Sequence, residues 1–223
     1  MIHIAYIQEN AEIQDTTTQL TVKHMKRKMI FGVAALAFFV LALAPYSQAQ
    51  QLKIDDFILT DTQGQQFHLA DHAEQKAVVV FMTSSNCVFA TKYEDRIKEL
   101  YEANQSTDIS LVAINYKDHS NSTRDEVKVM RQYAPFPFPY VKDEAQIVAK
   151  LLGAETNPEV FILLPMGTTF ELAYRGQIDD SPLSSTRIKE AYVQKALDAI
   201  LEDSDVQTTF TEAKGCPIRW KNQ

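Results

Sequence analysis

The stretch FMTSSNCVFATKYEDR, residues 81–96, decides how the rest of the chain is read. It opens as the end of AVVVFMT (77–83), an unbroken apolar run rich in β-branched residues, which predicts a strand buried on both faces. Small polar residues follow, then a lone cysteine, Cys87. From there Phe89, Tyr93, Ile97, Leu100 and Tyr101 recur at helical spacing and predict an amphipathic helix. Ser85 or Asn86 is placed to cap that helix, which would put Cys87 in its first turn. There, unpaired N–H groups and the positive end of the helix dipole favour a thiolate over a thiol. Ser84 lies three residues upstream, so the site reads Ser-x-x-Cys. A small, buried, inert cysteine is the competing reading.

Outward from this stretch the elements alternate. FILTD (57–61) and QQFHL (65–69) predict two strands joined by a turn around Gly64. ISLVAINY (109–116) predicts another buried strand. A helix is expected over about 122–134, with Val127, Met130 and Tyr133 inward. PFPFPY (135–140) cannot be helical; it suits either a polyproline ligand or, better, aromatics packed into the core. EAQIVAKLLG (144–153) predicts a short helix closed by Gly153. EVFILLP and TFELAYRG predict a hairpin around Met166–Gly167, and a last helix is expected over about 185–203 with Ile188, Tyr192, Leu197, Ile200 and Leu201. Strands alternating with helices imply an α/β fold with a partly parallel central sheet.

The chain has 223 residues and a net charge of −7, without basic clusters beyond residue 49. That balance argues against nucleic acid and anionic membranes as partners. Residues 1–49 have the order of an export signal: Lys23, Lys26, Arg27 and Lys28, then the apolar run MIFGVAALAFFVLALA (29–44). Ser47 and Ala49 follow at the −3 and −1 positions of a small-residue cleavage site. The run is short for a membrane span, which needs about 20 apolar residues. No cysteine follows it to carry a lipid. The expectation is cleavage near Ala49, release to the periplasm or the exterior without a stable membrane anchor, and a single domain over 50–223. Met25 starts such a signal better than Met1.

Beyond residue 49 there are two cysteines, Cys87 and Cys216. In an oxidising compartment they can pair, and two cysteines allow one intramolecular pairing. Closing so long a loop would stabilise by about 4–5 kcal/mol in the chain-entropy model. A structural staple, a catalytic pair and free thiols all stay open.

From about 52 to 220 the chain resembles the thioredoxin-like redoxins of the alkyl-hydroperoxide-reductase/thiol-specific-antioxidant group. The residues that carry the resemblance are FILTDTQGQQFHL, CVFATKYEDRI, LVAINYKD, FPFPYVKDEAQIVAKLLGA, NPEVFILL, AYRGQIDD and the tail GCPIRW. It implies a thioredoxin-like fold, a central mixed sheet flanked by helices on both faces, with an N-terminal β-hairpin. The family motif is Thr-Cys-x-x-Cys-Pro. Here Thr83 is kept, Ser84 replaces the first cysteine, Cys87 matches the second, and Val88 replaces the proline. Asn157 stands before Pro158 where Thr is usual, and Pro158 is expected in the cis form.

The resemblance implies a thiol–disulfide oxidoreductase or antioxidant redoxin acting through Cys87, with Cys216 as candidate resolving partner and Ser84 beside them. Thr83, Asn86, Asn157 and Pro158 are the expected substrate-binding residues. A thiol or disulfide protein, or a peroxide, is the expected partner, with no cofactor. Two alternatives remain. One is a catalytically silent thioredoxin-fold binding or chaperone-like domain. The other is a one-cysteine thiol peroxidase, for which Ser84 would orient peroxide and an arginine must approach the thiolate; Asn157 and Pro158 hold the place where the family supplies that arginine, and Arg175 is the only arginine near the following hairpin. His68 and His72 are four apart but fall across a strand and a loop with no third ligand, so no metal is expected. Asp179 and Asp180 are expected in a solvated loop.

Overall fold

A computed structural model describes residues 52–117 and 123–221; the export-signal expectation, residues 1–49, lies outside them. The strands are β1 (Lys53–Ile54), β2 (Ile58–Asp61), β3 (Gln66–His68), β4 (Ala77–Thr83), β5 (Ile109–Asn115) and β6 (Tyr140–Lys142). They continue with β7 (Thr156–Asn157), β8 (Glu159–Met166), β9 (Thr169–Gly176) and β10 (Cys216–Pro217). The α-helices are α1 (Val88–Asn104), α2 (Val127–Tyr133), α3 (Ile147–Leu151) and α4 (Tyr192–Leu201). Eight strands form one sheet in the order β1-β9-β8-β4-β5-β6-β2-β3. β5 runs parallel to β4 and β6, and the other pairings are antiparallel.

Every residue of β4 is buried, as its apolar run requires. Successive side chains of a strand point to opposite faces, and here they divide cleanly. Ala77, Val79 and Phe81 join Tyr93, Ile97 and Leu100 of α1, Met130 of α2 and Leu197 of α4 on one face. Val78, Val80 and Met82 join Val148 and Ala149 of α3 and Ile218 of the C-terminal tail on the other. The tail is thus part of the second core. Phe136, Phe138 and Tyr140 are buried while the alternating prolines are exposed, so PFPFPY packs inward at strand period.

Three helices differ from expectation. The stretch over 122–134 resolves into a 3-10 turn at Thr123–Asp125 and the shorter α2, which leaves Val127 and Tyr133 exposed. The cause is Asp125, drawn inward to accept hydrogen bonds from the Ser85 backbone N–H (2.8 Å) and the Asn115 amide (2.8 Å). α3 starts at Ile147 because the Asp143 carboxylate accepts from the N–H groups of Ile147 and Ala149, and Gln146 takes a left-handed conformation. α4 starts late because the Asp180 carboxylate holds the N–H groups of Lys189 and Glu190, leaving Ile188 outside the helix.

Among the described residues no helix is long and apolar enough to cross a membrane.

Candidate functional site

β4 and β5 end side by side, with Thr83 opposite Asn115. The next residues, Ser84 and Tyr116, therefore open onto one place at the carboxyl ends of parallel strands, where α/β sheets commonly bind their ligands. α1 begins at the same place. Cys87 is itself the N-cap, with extended backbone (φ −117°), and no side chain caps the helix. This corrects the expectation that Ser85 or Asn86 caps it: the Ser85 hydroxyl donates to the Arg124 carbonyl instead.

The tail reaches this point from the other end of the chain. β10 pairs antiparallel with β7, placing Cys216 opposite Asn157. Cys87 and Cys216 form a disulfide across 129 residues of sequence, with S–S 2.10 Å and Cα atoms 6.2 Å apart. Beyond Cys216 the tail is held firmly. The Ile218 N–H donates to the Glu155 carbonyl (2.9 Å). The buried Gln146 amide clamps the backbone twice, donating to the Arg219 carbonyl (3.0 Å) and accepting from the Lys221 N–H (2.7 Å). Lys150 lies over the Trp220 ring.

The Asn157–Pro158 peptide is cis, as expected. Its loop sits against the disulfide: the Asn157 carbonyl oxygen lies 3.1 Å from the Cys87 sulfur, and the Asn157 amide donates to Ser84 Oγ (2.7 Å). Burial pushes the pKa of the Tyr116 hydroxyl up to about 12, with Ser84 and Asn157 opposing the shift, so it stays protonated. Glu159 fixes the loop from behind. One carboxylate oxygen accepts from the N–H groups of Glu155 (3.0 Å) and Thr156 (3.4 Å); the other is gripped by Arg175 (2.7 and 3.0 Å). Arg175, the arginine a peroxidase would need at the thiolate, is therefore engaged with Glu159.

A cavity of about 450 Å³ opens on the disulfide, lined by Ser84, Asn86, Cys87, Tyr116, Lys117, Asn157, Cys216, Pro217 and Arg219. Of the expected site residues, the structure brings together Ser84, Asn86, Cys87, Asn157 and Cys216. Thr83 and Pro158 are buried beside them but form no part of the cavity wall. Tyr116, Lys117, Pro217 and Arg219 were missed. The signal for the first two was the parallel pairing of the strands that end at Thr83 and Asn115. Arg219 and Pro217 follow from Cys216 once the tail is placed.

Asp179 is a further correction. It is buried, not solvated: Arg96 contacts its carboxylate at 2.5 Å and the Tyr93 hydroxyl donates to it at 3.2 Å. Tyr93 and Arg96 belong to YEDR, so that motif serves to hold the 179–182 turn against α1. His72 stacks on Phe67 and bonds Ser110 through Nδ1 (2.9 Å), and burial lowers its pKa. Among the described residues no cluster of His, Cys, Asp or Glu is arranged to hold a metal ion.

Chemically, the arrangement is one disulfide at a cavity wall, with a helix N-terminus beneath one sulfur and a strand pairing beneath the other. It can exchange with thiols. The description "AhpC/TSA family" belongs to the family model that matches residues 51–180. A hypothetical protein of Sinorhizobium meliloti is similar at 29% identity, covering 79% of this chain and 97% of its own, with a TM-score of 0.70. An uncharacterized conserved protein of Geobacillus kaustophilus is similar at 30% identity, covering 78% and 92%, with a TM-score of 0.69. The exposed lipoprotein thioredoxin Etrx1 of Streptococcus pneumoniae shares the fold at 16% identity, covering 64% and 98%, with a TM-score of 0.51. No curated protein matches the sequence.

Proposed function

The chain belongs to the AhpC/TSA family, and from that premise we propose that it is an exported thiol–disulfide oxidoreductase whose redox pair is Cys87 and Cys216. The observation that carries this reading is the disulfide between them at the wall of an open cavity. A pair in this position cycles by accepting two electrons from two thiols, or by passing them to a substrate disulfide. Export rests on the basic, apolar and small-residue order of residues 23–49 and would supply the oxidising compartment in which the pair closes.

The alternatives fit less well. A silent peptide-binding domain needs a free strand edge at the cis-proline loop, and the tail's own β10 occupies that edge. A one-cysteine peroxidase needs Cys87 free and an arginine beside it. Here Cys87 is bonded to Cys216, and Arg175 is held by Glu159.

Turnover tests the proposal. The protein is assayed for reduction of a disulfide-linked peptide by excess dithiol, alongside Cys87→Ser and Cys216→Ser. Catalysis that disappears in both variants is the expected result. A wild-type rate no higher than either variant would sink the reading.

A further inference from the structure

The two sulfurs of this disulfide are not equivalent. Cys87 is 2% exposed; Cys216 is partly exposed on β10. Thiol–disulfide exchange is a displacement, in which the incoming thiolate bonds to one sulfur and the other leaves. Its rate rises with access to the attacked sulfur and with the acidity of the leaving thiol.

Both criteria select the same atom. Cys216 is the more accessible sulfur. Cys87 is the better leaving group, because it stands at the N-terminus of the 17-residue helix α1, where free N–H groups and the helix dipole stabilise a thiolate. Cys216 lies on the two-residue strand β10, whose other residue, Pro217, has no N–H to offer an anion. Lys117 and Arg219 line the same cavity and attract an incoming thiolate.

We propose that Cys216, not Cys87, is the sulfur that exchanges with substrates, with Cys87 as its buried partner; the proposal rests on the redox-pair reading above. A substrate thiolate RS⁻ attacks Cys216 Sγ. The RS–Sγ bond forms as the Cys216–Cys87 bond breaks, and Cys87 departs with the electron pair as a thiolate. Solvent protonates it, and the resulting S–H faces the Asn157 carbonyl 3.1 Å away. A second RS⁻ then displaces Cys216 from the mixed disulfide, releasing RSSR. Two thiols are oxidised and the protein disulfide takes up two electrons. In reverse, the Cys216 thiolate attacks a substrate disulfide and Cys87 resolves the adduct. The tail thereby supplies the sulfur that position 84 lacks. Ser84 itself is 3% exposed and bonded to the Asn157 amide, so it takes no part in the exchange.

The wild-type protein tests this directly. Oxidised protein is exposed briefly to reduced glutathione as the probe thiol, quenched with acid, alkylated and peptide-mapped. The expected result is glutathione on Cys216 and the alkyl group on Cys87, in excess on the order of tenfold. Glutathione on Cys87 overturns the assignment while leaving the redox pair intact. A disulfide that neither glutathione nor a dithiol opens in the folded protein overturns the redox-pair reading and this assignment with it. If reclosure outruns alkylation, the single-cysteine variants decide. Cys216 in Cys87→Ala should then react with an aromatic disulfide probe on the order of tenfold faster than Cys87 in Cys216→Ala. The opposite order overturns the proposal.

Discussion

Cys216 stands opposite Asn157 in the short antiparallel pairing of β10 with β7, and the carbonyl oxygen of that same Asn157 lies 3.1 Å from the sulfur of Cys87. One residue thus registers the tail by its backbone and contacts the buried sulfur. Its side chain also holds Ser84, in the position where the family motif has its first cysteine. The geometry of the disulfide is therefore set largely by the cis-proline loop, which Glu159 and Arg175 fix from behind.

Gly215 is what allows the tail so close to that loop. A Cβ at this position would lie 2.1 Å from the Asn157 carbonyl oxygen and 3.0 Å from Thr156 Cγ2. Gly215→Ala is expected to lift β10 from β7 and weaken closure of the disulfide. The loss of a hydrogen bond or two is worth about 1–2 kcal/mol, which is roughly a tenfold shift in the equilibrium with a glutathione buffer toward the dithiol. The fraction of disulfide against glutathione ratio measures it; a curve superimposable on wild type would refute the packing argument.

Arg96 and Asp179 form a pair with side chains only 9% and 3% exposed. Removing one partner of a buried pair leaves the other charge uncompensated, at a cost of about 3–5 kcal/mol. Asp179→Ala should therefore unfold at a distinctly lower denaturant concentration than wild type. Asp180→Ala, which loses only hydrogen bonds from the Lys189 and Glu190 N–H groups, should move the midpoint less.

Burial raises the Glu94 carboxyl pKa to about 7, with Lys98 opposing and Asp95 assisting. The folded state therefore holds this proton more tightly than the unfolded chain does. The stability tied to it is fully present below the unfolded value of 4.5 and is lost as pH rises through about 7. Glu94→Gln should gain stability relative to wild type at pH 8 compared with pH 5. The difference between the two proteins, read by denaturation at each pH, also removes the background from Asp143 and His72. A difference that does not change with pH would contradict the assignment.

Lys117 and Arg219 bring two positive charges to the cavity of a chain whose net charge is −7. Neutralising both, as Lys117→Gln with Arg219→Gln, is expected to slow disulfide opening by mercaptoethanesulfonate several-fold at low salt, and to affect cysteamine less. High salt should shrink the contrast, because exposed charges are screened over about 10 Å at 0.1 M. Equal effects on both thiols would remove the electrostatic account.

Much of this was legible in the sequence where the pattern was long. The seven residues of β4 could only be a doubly buried strand, and all are buried. The opening hairpin turns at Gly64 (φ +83°) and the last hairpin at Gly167 (φ +72°), both at the expected glycines. The cis bond before Pro158 was expected from the family resemblance. The proximity of Cys216 to Cys87 has no such signal, because a two-residue strand carries no periodicity and its partner lies far away in the chain. The inward turn of Asp125 was equally hidden. Its partners, the Ser85 N–H and the Asn115 amide, are on other elements, and their polar contacts outweigh the apolar stripe that predicted a longer helix. Asp179 looked solvated because Arg96, which neutralises it, is 83 residues away.

The central claim is that Cys87 and Cys216 form a working redox pair rather than a staple. The most direct measurement is a redox titration of the folded protein in glutathione buffers, with alkylation scoring the thiols and circular dichroism following the fold. A reversible two-electron transition with the fold retained at both ends is the predicted result. A disulfide that opens only as the protein unfolds would contradict the claim.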